Sequence, residues 1–447
     1  MAIPANQTPQ PDPDLQTGVQ YLQAGWFDRA EPLFRSALGR YGERPDILHF
    51  LAVCLSQRGA LPDAVALWRK ALAKDPNEPI LSYNLALAAR QMGHLDEAAK
   101  RFRDTIRRAP THVEARLALA SIHVEQNRFA AAERELAEVV TNLDRALEQP
   151  GSEGLRPLQA RARNMLGHVL YRLGHFDASI SMLDRAIADA GEDHARHGQI
   201  LGDRALALGG LGHHAEAVTE AERALALAPQ SASLHHALGF ILYFAGRAAD
   251  AIGPIQKALE LDPGFAPALR TLALAQTAAG QVDQAIGALH RALRHNPLER
   301  DAVLQLSFLQ IARSEFEAAL ETLASYLKAA PQDVRALNNQ GLALRGLQRF
   351  EEARRVLKKA SRLGSDDPLV LNNLGEVLVD LGRAAEAKPL HEHALRGLPG
   401  DPRLLIGYAR CLATLGERDS AREALDAALA ADPNSQEALK ARMSLEG

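Results

Sequence analysis

Histidine clusters are the residues whose types and spacing most directly suggest chemistry. The 447-residue chain contains 16 histidines, and several lie close together, at His213, His214, His235, His236, His391 and His393. Metal ligands on one helix stand three or four residues apart, because those positions share a face, whereas nearer neighbours point to different faces. We therefore predict no metal site and no bound cofactor. We expect His391 to be buried, because it occupies a position that is normally held by a large apolar residue.

The motifs of nucleophilic, metallopeptidase and phosphate-binding chemistry do not occur. The sequence has no G-x-x-x-x-G-K-[ST], no G-x-S-x-G, no H-E-x-x-H and no paired C-x-x-C. Its two cysteines, Cys54 and Cys411, lie at equivalent positions of distant repeats and are too far apart to form a disulfide. We interpret them as buried thiols in a reducing compartment. Since no segment remains for a catalytic domain, we predict that the chain is not an enzyme.

The charge pattern argues against nucleic acid and membrane as partners. The net charge is −4, and aromatic residues make up 5% of the chain. Basic runs at 101–108 and 354–362 alternate with apolar residues at helical spacing, as either a solvated outer face or a docking strip for an acidic partner. Apart from Phe102, neither run contains an aromatic side chain on which a base could stack. No apolar run of about 18 residues and no leader peptide are present, so we expect a cytoplasmic protein without membrane insertion.

A repeating pattern must position all of these residues. A small residue recurs every 34 positions, except for intervals of 47 and 38 residues on either side of Ser179. Such a residue is expected where two helices cross closely, since a larger side chain would separate them. The twelve markers are Ala30, Ala64, Ala98, Ala132, Ser179, Ala217, Ala251, Ala285, Ala319, Ala353, Ala387 and Ala421.

Residues that end helices occur on both sides of most of the markers. Glycine ends nine of the twelve first helices, where it accepts the left-handed conformation of a helix C-terminus. Asn127, Ser314 and Gln348 replace it in the other three repeats. Because only asparagine is a ready substitute, we expect the turns at Ser314 and Gln348 to differ in geometry. Prolines end most of the second helices, so the pattern predicts a series of helix-turn-helix units.

The segment from Leu234 to Pro263 is a complete copy of this pattern. The residues that match the spacing of the tetratricopeptide repeat are Leu238, Gly239, Leu242, Ala251, Ile255 and Pro263. The chain therefore resembles a tetratricopeptide repeat protein over nearly its whole length, with about twelve repeats. The resemblance implies an all-α fold, a right-handed α-solenoid superhelix of antiparallel helix pairs, in which the first helices line a concave groove.

One irregular segment divides the predicted array. The predicted parts are a disordered tail at 1–11, repeats one to four at 12–140, an extended helix and loop insertion at 141–158, repeats five to twelve at 159–433, and a capping helix at 434–447. A polar final helix is expected because the last repeat otherwise exposes an apolar face. The insertion is either a tolerated surface feature or a hinge between two binding surfaces.

The resemblance places a partner in the groove. Carrying over the first-helix positions that face it in this family gives Tyr171, His236, Phe240, Tyr243, Phe244 and Phe308. Aromatic side chains bury a large area when they anchor a ligand, so we predict that these residues form a recognition patch. The alternative is that individual rings, such as those of Phe244 and Phe308, pack between repeats.

Asparagines form a second constellation at equivalent positions of repeats ten and eleven. They are Asn338, Asn339, Asn372 and Asn373, and they resemble the asparagine ladder of O-GlcNAc-transferase-type arrays, although repeats six to nine interrupt the row. Amide side chains can donate to and accept from an extended peptide backbone. The alternative is that they only bond neighbouring helices. Contacts to acidic or C-terminal carboxylate groups are expected from Arg270, Arg345 and Arg410.

These observations favour a non-enzymatic scaffold or adaptor that binds an extended peptide, or a segment of a partner protein, in its groove. Two alternatives stay open. One is the substrate-recruiting subunit of a glycosyltransferase-like complex, and the other is a self-assembling structural protein that forms homo-oligomers. The bias toward Ala, Arg and Leu suggests a bacterial source with GC-rich DNA.

Overall fold

The computed structural model describes residues 13–191, 193–364 and 366–446. Within these ranges the secondary structure consists of 25 α-helices and one 3-10 helix, without strands. The predicted all-α solenoid of helix pairs is therefore confirmed. The tail predicted at 1–11 lies outside the described residues. The chain divides into two compact units, Met1–Pro229 and Gln230–Gly447, and each unit is a stack of helix pairs.

In the described part of the first unit the helices form six pairs, each made of a first helix and a second helix. Its helices are α1 (Pro13–Gln23), α2 (Phe27–Tyr41), α3 (Pro45–Gln57), α4 (Leu61–Lys74), α5 (Pro79–Gln91), α6 (Leu95–Arg108), α7 (Val113–Glu125), α8 (Phe129–Leu147), α9 (Arg156–Arg172), α10 (Phe176–Asp189), α11 (His194–Gly210) and α12 (His214–Leu227). The 3-10 helix, Glu153–Leu155, lies between α8 and α9.

The described residues of the second unit form six further pairs and one final helix. Its helices are α13 (Ala232–Phe244), α14 (Ala248–Leu261), α15 (Ala266–Ala278), α16 (Val282–His295), α17 (Arg300–Ala312), α18 (Phe316–Ala329), α19 (Val334–Gly346), α20 (Phe350–Leu363), α21 (Pro368–Asp380), α22 (Ala384–Gly397), α23 (Pro402–Thr414), α24 (Arg418–Ala431) and α25 (Gln436–Glu446).

Small residues occupy the helix crossings, as their spacing predicts. All twelve markers, from Ala30 to Ala421, are 0% exposed. The closeness of the two helices is evident at Gly239 on α13, where a Cβ would overlap the side chain of Ile255 on α14. Large apolar side chains fill the remaining space between helices, and burying each contributes about 2 kcal/mol.

The turns inside the pairs share one geometry. Gly246 has a φ of 78°, and Ser314 and Gln348 have φ values of 61° and 59°. The backbone bonds also match, because the amide of Ser314 donates to Ile311 at 2.9 Å as that of Gly246 donates to Tyr243 at 3.0 Å. The expectation that the turns at Ser314 and Gln348 differ is therefore wrong. Packing of the two helices imposes the left-handed conformation regardless of residue type.

The helical part of the insertion is packed. Helix α8 continues to Leu147, and Leu143 on its extension is 3% exposed within an apolar cluster that includes residues of α9. Asp144 accepts hydrogen bonds from Gln159 and Arg163, both at 2.5 Å. The loop that follows this extension is a surface feature, because most of its residues from 148 to 157 are exposed. The boundary between the compact units follows Pro229, and a hinge at the insertion stays a prediction.

Helix α25 packs against the last pair. Ala438 is 0% exposed and lies in one apolar cluster with Leu405, Ile406 and Leu425. The Ser435 hydroxyl accepts a hydrogen bond from the Ala438 amide at 3.4 Å at the start of this helix. Among the described helices, none combines the length and apolarity that crossing a membrane requires.

Candidate protein-interaction surface

Four of the predicted groove residues form one aromatic cluster on α13. His236, Phe240 and Phe244 follow at intervals of four residues, which places them on one side of the helix. The ring centroids of Phe240 and Phe244 are 4.6 Å apart, and those of His236 and Phe240 are 6.0 Å apart. Tyr243 meets Phe244 edge-on at 5.1 Å. Phe244 is 56% exposed, so one end of the aromatic cluster faces solvent.

A fifth ring, that of Phe265, joins the aromatic cluster from the next repeat. Phe265 immediately precedes α15, and its ring lies edge-on to His236 with the centroids 5.2 Å apart. Sequence reasoning missed this residue, although a signal was present. The same position in four later repeats holds a carboxylate that caps the helix, at Glu299, Asp333, Asp367 and Asp401. A phenyl ring cannot cap a helix, so its presence at this position indicates another role.

His236 is neutral within the cluster. Its Nε2 lies 3.0 Å from Oγ1 of Thr271. Burial, reinforced by the positive charge of Arg270, lowers the pKa of the His236 imidazole to about 4. At neutral pH the ring is therefore a polar aromatic side chain, and the aromatic cluster carries no charge of its own.

Tyr171 and Phe308 lie apart from this cluster. Tyr171 belongs to the first unit, where its ring centroid is 6.3 Å from that of His168 and 6.0 Å from that of Phe176. Tyr171 is half-buried, and this burial raises the pKa of its hydroxyl. Phe308 on α17 is 57% exposed and lines a cleft in the second unit.

The cleft that Phe308 lines has a volume of about 280 Å³, and we call it the α17–α19 cleft. Its lining combines an apolar wall, two amide side chains and charged groups of both signs. The lining residues are Asp301, Leu304, Gln305, Phe308, Arg335 and Asn339. The structure thus places the predicted groove residues Phe308 and Asn339 in one cleft, although they belong to different repeats.

The asparagines bond neighbouring first helices. Nδ2 of Asn339 donates to the Leu304 carbonyl at 3.2 Å and to Oγ of Ser307 at 3.0 Å, both on α17. Nδ2 of Asn373 on α21 donates to Oδ1 of Asn338 on α19 at 2.8 Å. These three asparagines therefore bond neighbouring first helices. Contact between a partner and the three half-buried side chains of Asn338, Asn339 and Asn373 stays a prediction.

Asn372 has a different place from its neighbour Asn373. It is 7% exposed, and its Oδ1 lies 3.0 Å from Nδ1 of His391 on α22. Its side chain therefore serves the packing inside its own repeat, which contradicts the predicted contact with a partner. His391 is 1% exposed, which confirms its predicted packing role. Burial, assisted by the charges of Arg410 and Arg345, lowers the pKa of His391 to about 4.

The predicted cationic contact residues already have carboxylate partners. Arg345 contacts Asp380 at 2.5 Å and Glu376 at 2.6 Å. Arg410 contacts the same two carboxylates, at 2.7 Å and 3.0 Å, so the four side chains form a balanced acid–base quartet. In the same way, Nη1 of Arg270 lies 2.7 Å from Glu299 and 3.1 Å from Asp301. An incoming carboxylate would have to displace these partners, which weakens the expected role of all three arginines.

Groups suited to redox or metal chemistry are buried or dispersed. Cys54 and Cys411 are free thiols, buried in different units, as their repeat positions predict. Burial raises the pKa of each thiol to about 11, which keeps the reactive thiolate scarce at neutral pH. Within the described ranges, no three His, Cys, Asp or Glu side chains are placed to hold a metal ion.

Stacked helix pairs whose first helices present aromatic, amide and charged side chains define the class of α-solenoid that supports protein interactions. Within that class, the chain belongs to the tetratricopeptide repeat family. Models of this repeat match residues 21–88, 83–149, 159–194, 203–264, 276–340, 334–365 and 378–443. Family membership supports a protein-interaction scaffold in general.

One similar solved structure is the crystal structure of the APC/C hetero-tetramer Cut9–Hcn1. The matched chain is 15% identical, the match covers 96% of this chain and 95% of that chain, and the TM-score is 0.49. No curated protein matches this chain.

Proposed function

We propose that this chain is a non-enzymatic scaffold that holds an extended segment of a partner protein against the first helices of its second unit. The observation that carries the proposal is the exposure of two phenylalanines. Phe244 and Phe308, at 56% and 57%, have the highest exposed fractions among the described Phe, Tyr and Trp residues, and both stand on first helices.

Burial of these rings by a partner supplies a driving force. A phenylalanine side chain buries about 200 Å² when fully enclosed, so each of these rings leaves about 100 Å² to be covered. At about 25 cal/mol per Å², covering one ring contributes about 2–3 kcal/mol. Two such anchors supply the aromatic centre that tight protein interfaces contain.

Polar groups beside the anchors suit an extended backbone. Gln305 and Asn339 line the same cleft as Phe308. The Gln305 amide can both donate and accept hydrogen bonds, whereas Asn339, whose Nδ2 already bonds Leu304 and Ser307, offers its Oδ1 as an acceptor. An extended segment presents unpaired N–H and C=O groups along its length, and these need partners when the segment leaves water. Aromatic anchors with adjacent amides therefore favour an extended segment over a flat protein surface.

Site-specific photo-cross-linking tests this proposal. The photoreactive amino acid p-benzoylphenylalanine would replace Phe244 in one variant and Phe308 in another, and each variant would be irradiated in extracts of the cells that make the protein. We expect both positions to cross-link to one partner, at sites near each other in the partner's sequence when mapped by mass spectrometry.

Trp26 is the matched control position. It is 52% exposed but belongs to the first unit. Equal cross-linking from Trp26, or cross-links from the two phenylalanines to unrelated proteins, would contradict the proposal. Self-assembly makes a different prediction, since light scattering would then show a mass that rises with protein concentration.

A further inference from the structure

We infer that the partner segment carries an acidic side chain, next to an apolar one, and that this carboxylate pairs with Arg335 in the α17–α19 cleft. The inference rests on the proposed function and specifies the chemistry of its partner. The observation behind it is that one arginine on the first helices of the second unit has no carboxylate partner among the described residues.

Arg335 lacks the carboxylate partner that the other arginines there possess. The described first helices α13, α15, α17, α19, α21 and α23 carry six arginines and no lysine. Five have a carboxylate oxygen within 4.0 Å, namely Arg270, Arg300, Arg345, Arg403 and Arg410. No such pair exists for Arg335 among the described residues, and its side chain is exposed.

Comparison with Arg403 explains why Arg335 has no carboxylate partner. Both arginines stand two residues after the aspartate that caps their helix. The guanidinium of Arg403 turns back onto Asp401, with contacts of 2.7 and 3.1 Å. Asp333 is not available to Arg335 in this way. Its Oδ2 already accepts bonds from Arg300 at 2.6 Å and from the Tyr326 hydroxyl at 2.9 Å.

The other charged group of the cleft does not replace the missing partner. Asp301 also lines the cleft, but its carboxylate lies 3.1 Å from Arg270 and 3.8 Å from Arg300. Arg335 is therefore the position in the cleft where an added carboxylate gains a charge-assisted hydrogen bond, in bidentate geometry if the fork aligns. Phe308 and Leu304 form the adjacent apolar wall, so the residue next to the acidic one should be apolar.

Selection from a random peptide library displayed on phage tests the inference with the full chain. Wild-type protein should enrich sequences with Asp or Glu beside an apolar residue. The Arg335→Glu variant should lose that acidic preference, and basic residues should replace it. Glutamate in the first helical turn is favoured by the helix dipole, so the variant should fold, and circular dichroism would check this.

Arg403→Glu is the matched control, because Arg403 has the equivalent position in the last repeat but belongs to an internal pair. It should select the same acidic sequences as wild type. For one selected peptide, Arg335→Ala should weaken binding about tenfold, which equals about 1.4 kcal/mol. The same peptide with Asn in place of its Asp should bind the wild-type protein and the Arg335→Ala variant with equal affinity.

The outcomes separate the two proposals. Enriched peptides without an acidic position, or an acidic preference that survives Arg335→Glu, would overturn the inference and leave the proposed function standing. If the wild-type chain enriches no peptide, binding of an extended segment itself is wrong, and the inference falls with it.

Discussion

Replacing Arg163 with methionine should destabilise the region around the insertion by about 3 kcal/mol. Arg163 on α9 is 8% exposed and forms ion pairs with two carboxylates, those of Asp144 on the extension of α8 and Asp189 on α10. Removing one partner of a buried ion pair costs about 3–5 kcal/mol, because the other charge stays buried without compensation.

The environments of the two aspartates place the effect at the lower end of that range. The side chain of Asp144 is 35% exposed and keeps its contacts with Gln159 at 2.5 Å and Arg185 at 3.3 Å. Asp189 is 8% exposed, and its remaining cation is Arg156 at 3.9 Å. Most of the loss therefore comes from Asp189, and the double variant Arg163→Met, Asp189→Leu should recover most of it.

Hydrogen exchange followed by mass spectrometry would measure this locally, which suits an array in which each repeat contacts its neighbours. Peptides from α8, α9 and α10 should exchange faster in Arg163→Met, while peptides from α19 to α24 should not change. Arg185→Met is the control, since its side chain is 50% exposed and its ion pair should contribute below about 1 kcal/mol. Equal effects of the two variants, or no recovery in the double variant, would refute the reasoning.

Three further predictions concern the second unit. The pKa of His391 is about 4 in the folded chain and about 6.5 when unfolded. The unfolded state therefore binds more protons between these two pH values, so the unfolding free energy should fall by about 1.4 kcal/mol per pH unit as the pH drops from 6.5 to 4. Urea titrations of the His391→Leu variant should not show this part of the pH dependence. Gly407→Ala should lower the urea midpoint by the equivalent of about 1–3 kcal/mol, because a Cβ there would lie 2.6 Å from Oδ1 of Asn372. Ser314→Gly should raise the melting temperature, because it removes about 1 kcal/mol of strain at a φ of 61°; an unchanged or lower value would contradict this.

The fold was predictable because each repeat packs almost entirely against its neighbours. The recurrence of Ala and Ser at one position located the helix crossings correctly, since a close approach leaves no room for a larger residue. The geometry of the turn at Gln348 was not predictable in the same way. Its local preference disfavours a left-handed conformation, but the two helices that it joins impose one.

The candidate site was predictable from the sequence only in part. Helical spacing correctly placed His236, Phe240 and Phe244 on one side of α13, because an interval of four residues returns to the same face. The contribution of Phe265 was missed, since it comes from the next repeat. The adjacent residues Asn372 and Asn373 have the same chemistry, yet one bonds His391 in the interior and the other bonds the preceding first helix.

Sequence alone therefore determined the repeat, the helix pairs, the buried small residues and the faces on which the aromatic side chains lie, because all of these follow from spacing along one chain segment. Tertiary structure decided which polar groups have partners. Arg345 and Arg335 are ten residues apart on α19, and both are cations on a first helix. The first has Glu376 and Asp380 of the next repeat within reach, whereas the aspartate nearest to the second is held by Arg300 and Tyr326. Charge pairing depends on distances of a few ångströms between repeats, and those distances exist only after the helices have packed.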